Sequence, residues 1–127
     1  MMSHDQWLSA IVAHAKRIAN REYQEQNWFR KDVPVAVNWV VEVYENLDDL
    51  TFDLFFEMYS KEFTAEQLTA WVEFKNELEE YDKTLPNYPD VRQVFDDPGW
   101  QRVREAAARF VAAFDRSSIT TMHDQPV

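Results

Sequence analysis

Carboxylates are the side chains of this chain best placed to do chemistry. Glu42, Glu45, Asp49, Asp53 and Glu57 follow one another at intervals of three or four residues, and Glu73, Glu77 and Glu80 repeat the spacing further on. On a helix such spacing brings side chains to one face. Grouped carboxylates can work as an acid and base pair, hold a divalent cation, or attract a basic partner. The first two uses lack their usual companions here. Asp49, Asp53 and Glu57 have no histidine three or four positions away, so the Glu-x-x-His signature of di-iron bundles is absent. The three histidines, His4, His14 and His123, are scattered, and there is no cysteine to supply a thiol nucleophile or a thiolate zinc site. No G-x-S-x-G, P-loop or H-E-x-x-H motif occurs. The expectation is a protein with no catalytic residue, no cofactor and no metal, whose acids bind a partner.

The elements that must position these acids can be read from periodicity. Ser3 with Gln6 forms a capping box, and Trp7, Leu8, Ile11, Val12, Ala15 and Ile18 recur at helical spacing, which predicts a first helix over about 4–26. The next stretch, DVPVAVNWVVEVYENLDDL, is ambiguous. Its odd positions from Val33 to Val43 are all apolar, as in a half-buried strand. A helix instead places Val33, Val37, Val40, Val41, Tyr44 and Leu47 on one side and Asn38, Glu42, Glu45 and Asp49 on the other, with Asp32 as N-cap and Pro34 in the first turn. Only the helix segregates the polar groups, although the β-branched residues weigh against it. Leu50, Leu54, Phe55, Met58 and Tyr59 predict a third helix over about 50–61. Thr64 with Gln67 makes a second capping box, with Phe63 and Leu68 as a hydrophobic staple. The helix it opens reaches about Asp82, with Leu68, Trp71, Val72, Leu78 and Tyr81 inward. Pro86 and Pro89 break the pattern; Val91, Val94 and Phe95 fit a short helix, and Asp97-Pro98 opens a last one to about residue 116 that buries Val103, Ala107, Phe110, Val111 and Phe114. Residues 117–127 lose the periodicity and read as a flexible tail.

The fold expected is all-α: one compact bundle of about five helices with one short extra turn. A chain of 127 residues, 46% hydrophobic and 15% aromatic, can bury its own core. Its single glycine, Gly99, argues against an antiparallel sheet, because tight hairpin turns favour glycine. The lack of cysteine fits a reducing compartment. The N-terminus has no basic segment ahead of an apolar run, and no window approaches the length of a membrane span. These features predict a soluble cytoplasmic protein without a membrane partner.

Charge is unevenly distributed. The net charge is −10, yet residues 1–41 hold five Lys/Arg against four Asp/Glu, residues 83–127 hold six against six, and residues 42–82 hold two against thirteen. An acidic helical face is most simply a solvated surface that keeps a small protein soluble. It also repels phosphate, which excludes direct nucleic-acid binding there, and it attracts a basic protein. The functional expectation is therefore a non-enzymatic inhibitor or immunity protein that neutralises a basic, nucleic-acid-binding partner through Glu42, Glu45, Asp49, Asp53, Glu57, Glu73, Glu77 and Glu80. Small acidic immunity proteins resemble it in class, without a shared motif. The alternatives are an oligomerising helical domain with apolar self-contacts and a small-molecule or metal-binding enzyme. The basic residues Lys16, Arg17, Arg21, Arg30 and Lys31 read as partners for acids of this chain or of a second copy, with a phosphate contact as the lesser alternative. Trp28, Phe29 and Trp100, next to element ends, are core residues or interface anchors.

Overall fold

The computed structural model describes residues 3–29, 39–87 and 89–124, with side chains through Phe114. Seven α-helices occupy them: α1 (His4–Ala19), α2 (Arg21–Trp28), α3 (Trp39–Asp49), α4 (Phe52–Tyr59), α5 (Ala65–Asp82), α6 (Val91–Asp96) and α7 (Pro98–Asp124), with a 3₁₀ turn at Ser60–Glu62 after α4. Among the described residues there is no strand. The protein is an all-α bundle in which α7 packs against both α1 and α5.

Local chemistry sets the helix starts. Both predicted capping boxes form: the Ser3 hydroxyl accepts from the Gln6 N–H at 3.2 Å, and the Thr64 hydroxyl accepts from Gln67 N–H at 3.1 Å. Asp97 caps α7 with one carboxylate oxygen on the Gly99 N–H at 2.9 Å, and its other oxygen accepts the Tyr81 hydroxyl at 2.8 Å. This explains the lone glycine: a Cβ at Gly99 would stand 2.8 Å from the Tyr81 ring.

The first predicted helix is in fact two. Asn20 is extended, and its side chain caps α2 by accepting from the Tyr23 N–H at 2.9 Å. The carbonyls freed by the break are taken up by Gln24, which donates to Arg17 and Ile18 oxygens at 3.0 and 2.7 Å. Buried Gln24 also accepts from the Trp100 indole at 3.0 Å and from Arg104 Nε at 2.8 Å. A polar side chain at the centre of the bundle thus ties α1, α2 and α7 together.

The ambiguous stretch is helical from Trp39 onward, with Val40, Val43 and Leu47 buried. Asp32, Val33, Pro34, Val35, Val37 and Asn38 lie outside the described residues, as do Arg30 and Lys31. The predicted third helix begins at Phe52, after Thr51 turns the chain with φ 50° and ψ 54°, and its last turn is 3₁₀. Its inward face is also rotated. Phe52 and Phe55 are buried, whereas Leu54 and Met58 are 45% and 55% exposed; on α5, Leu68 and Val72 are 41% and 40% exposed. Rings outweigh aliphatic chains here, because each aromatic buries more area. Trp71 stacks on Phe52 at 4.2 Å and is ringed by Phe55, Phe56, Phe63, Phe110 and Phe114. Its buried indole N–H has no hydrogen-bond acceptor among the described residues. Phe63 turns to this cluster while Leu68 stays outside, so the capping box forms with its expected apolar partner in solvent.

Trp28 and Trp100 are core residues, 5.7 Å apart, and half-buried Phe29 packs edge-on to Phe95. On α7, Val103, Ala107, Phe110 and Phe114 are buried as expected and Val111 is half-buried. The helix passes Arg116 and runs to Asp124, since no proline or glycine interrupts it before Pro126.

Candidate functional site

The eight acids singled out by spacing fall into separate groups. Glu73, Glu77 and Glu80 lie on the flank of α5 that meets α7. There Glu73 pairs with Arg109 at 3.2 Å and Glu77 approaches Arg102 at 3.9 Å, while Glu80 takes Lys83 at 3.1 Å. Asp53 is on the other flank of α5, where it holds the Lys75 ammonium at 3.0 Å. Asp49 faces α1 across a shallow cleft that it shares with His14, Arg17 and Asn46. Glu45 faces away from α1 toward α5, while Glu42 is half-buried on α3 and Glu57 is exposed on α4. A single acidic face is therefore not what the bundle builds.

A groove between α3 and α5 gathers a different set. Its larger part, about 510 Å³, is lined by Tyr44, Leu47, Asp48, Thr51, Phe52, Asp53, Leu54, Lys75, Leu78, Glu79 and Asp82. A second part of about 370 Å³ continues along α3 past Val41 and Glu45 to the Pro86–Pro89 loop, and the two share Tyr44, Asp48 and Asp82. Leu47, Phe52, Leu54 and Leu78 give an apolar floor and wall, and Glu45, Asp48, Asp53, Glu79 and Asp82 give an acidic rim. Lys75 is the one cation among the lining residues. Its charge is already committed: the Asp53 hydrogen bond, with the negative charges of Asp53, Glu79 and Glu57, holds the ammonium above its ordinary range against a smaller opposing effect of burial. Glu45, Asp48 and Asp82 are exposed and make no ion pair with a described residue.

The groove's walls are fixed from behind. The Tyr44 hydroxyl spans it by donating to the Leu78 carbonyl at 3.0 Å. Burial first, and then the negative charge of Asp82, pushes that phenol well above its ordinary range, so it stays an un-ionised donor. From α1, the Trp7 indole donates to the Leu50 carbonyl at 2.6 Å, and His14 Nε2 meets the Val43 carbonyl at 3.0 Å. These bonds hold α3 on α1, which leaves its far side facing α5. The helix ends reinforce the sign of the field: α3 and α5 both finish without a basic residue in the last turn, so their terminal carbonyls add partial negative charge.

Among the described residues no histidine lines the groove, and no group of three or more His, Asp or Glu side chains is close enough to hold a metal ion. His14 is buried in its bond to Val43, and His4 stands edge-on to Tyr59 at 4.4 Å. What the groove offers chemically is negative charge beside apolar surface. Spacing missed Asp48, Glu79, Asp82 and Tyr44, which come together only because α3 and α5 lie side by side. A usable signal existed: Lys75, Glu79 and Asp82 recur at four and three residues on the side of α5 away from Glu73, Glu77 and Glu80.

The basic cluster expected on the first helix is likewise divided. Arg21 pairs with Asp96 at 3.5 Å and covers the Phe95 ring at 4.2 Å, while Arg17 lines the α1–α3 cleft. Beneath Arg21, Arg104 is 2% exposed and covers the same ring at 4.9 Å; burial first, then the Arg21 charge, lowers its guanidinium to about 10. Among the described residues no helix is long and apolar enough to cross a membrane. No known protein family, curated protein or solved structure matches the chain.

Proposed function

We propose that this protein is a non-enzymatic binding module that neutralises a basic, nucleic-acid-binding protein, as an immunity protein or a nucleic-acid-mimicking inhibitor does, and that the α3–α5 groove receives the partner. The observation that carries the reading is the groove's composition: five carboxylates around an apolar floor, with its only lysine already paired. Exposed Glu45, Asp48 and Asp82 attract cationic side chains and pair with them when these enter. The floor then lets an apolar anchor be buried beside those charges, the arrangement that carries most of the energy in protein interfaces. Glu73, Glu77 and Glu80, already matched by cations of this chain, contribute to the long-range field and not to the contact.

The reading is tested by titrating the protein against a panel of basic nucleases, with basic non-nuclease proteins as controls, at increasing ionic strength. The expected result is saturable binding to a nuclease that weakens roughly tenfold or more between about 50 and 500 mM salt. Absence of binding across the panel, or affinity indifferent to salt, contradicts it. The exposed Leu54, Met58, Leu68 and Val72 favour one other reading, an oligomerising domain with apolar self-contacts. Sedimentation at both salt extremes separates the two, because such an oligomer persists at high salt.

A further inference from the structure

The outer stripe of α5 joins exposed apolar surface to the acidic groove along one line. Leu68, Val72, Lys75, Glu79 and Asp82 succeed one another at intervals of four, three, four and three, the seam along which one helix packs on another. Val41, Glu45 and Asp48 on the opposite wall repeat the four-three step. At about 1.5 Å per residue the α5 seam is roughly 21 Å long, or four helical turns. It is graded in character: Leu68 and Val72 are exposed apolar residues at one end, and Glu79 and Asp82 face the other carboxylates of the groove at the other end.

From this we propose that the groove receives one amphipathic basic helix of the partner protein, laid along α5. Its apolar side chains meet Leu54, Val72 and Leu68, and its Lys/Arg side chains reach Asp48, Asp82 and Glu45. The inference rests on the reading of the groove as a site for a basic protein and adds the form of the bound segment. Charge complementarity selects the cations. The exposed apolar side chains Leu54, Leu68 and Val72 select the helix: an extended segment would lay unpaired N–H and C=O groups on them, whereas a helix satisfies its own.

Two synthetic peptides of one composition test it, one with Leu at three-four spacing and Lys/Arg between, the other with the same residues reordered so that no apolar stripe forms. Fluorescence anisotropy gives affinity and circular dichroism gives helicity on binding. The amphipathic peptide is expected to bind about tenfold more tightly than its reordered twin and to gain helix on binding. The double substitution Leu68→Ser and Val72→Ser, at exposed positions where folding is preserved, is expected to cancel that advantage. Equal affinities for the two peptides, or an advantage untouched by the serine variant, would overturn the helix while leaving the basic-partner reading in place. If neither peptide binds but a basic protein does, the helix again falls alone; if nothing basic binds, both fall.

Discussion

Two buried polar side chains do at single positions what the rest of the core does with apolar area. Gln24 uses both ends of its amide at once, closing the α1–α2 break and receiving Trp100 and Arg104. The buried Arg104 guanidinium, with no carboxylate partner among the described residues, is tolerable because Gln24, Gln101 and the Phe95 carbonyl each accept from it. His14 is the second. Burial, partly offset by the bond to Val43 and aided by the Arg17 charge, lowers its pKa below 6.5. In the window between that lowered value and 6.5 the unfolded chain binds a proton that the folded chain does not, so stability falls as pH drops through it and levels off below. The slope of stability against pH there approaches about 1.4 kcal/mol per pH unit at most. Urea unfolding from pH 7.5 downward should show this slope in the parent protein and lose it in His14→Gln, which keeps a donor for the Val43 carbonyl. Identical slopes would mean that His14 is not the responsible group. Neither role was legible in the sequence, where Gln24 stands among polar neighbours and His14 just ahead of Lys16 and Arg17.

At the scale of elements, boundaries set by local chemistry were legible and the facing of helices was not. The Ser3 and Thr64 capping boxes, the Asp97-Pro98 start and the break at Pro86 and Pro89 are all contained within a few residues, and each appears where its signal stands. The break at Asn20 was missed because the apolar period of α1 gives no sign of it, and its cap resembles any surface asparagine. On α4 the pattern offers two apolar stripes, Leu54 with Met58 and Phe52 with Phe55, and only contact with Trp71 decides between them. The link between α3 and α4 is strained. Thr51 is the one non-glycine residue with positive φ among the described residues, and a β-branched side chain there costs about 1–2 kcal/mol. It lies on the groove wall with Asp48 and Asp53. Thr51→Gly removes the strain but adds about 0.5–1 kcal/mol of chain entropy, so a net gain of roughly 0.5–1 kcal/mol is expected in chemical denaturation. A loss of stability would show that the threonine hydroxyl, 2.7 Å from the Leu50 carbonyl, matters more than the backbone.

For the molecule as a whole, the concentration of negative charge in residues 42–82 was plain from the sequence, and so was the all-α class. What the sequence could not show is how packing divides that charge. By bringing α7 beside α5, the bundle neutralises Glu73 and Glu77 with Arg109 and Arg102; by setting α3 beside α5 it creates a rim of Asp48, Asp82 and Glu45 that no described cation pairs. The central claim is that this rim, and not bulk negative charge, receives the partner. It is tested most directly by comparing two double variants of equal charge, Asp48→Asn with Asp82→Asn and Glu73→Gln with Glu77→Gln, for their association rate with a basic protein that the parent binds at low salt. The groove pair is expected to slow association and weaken affinity about tenfold, and the α7-facing pair to change either by no more than about twofold. Equal losses from the two pairs would contradict the claim, because net charge alone would then account for binding.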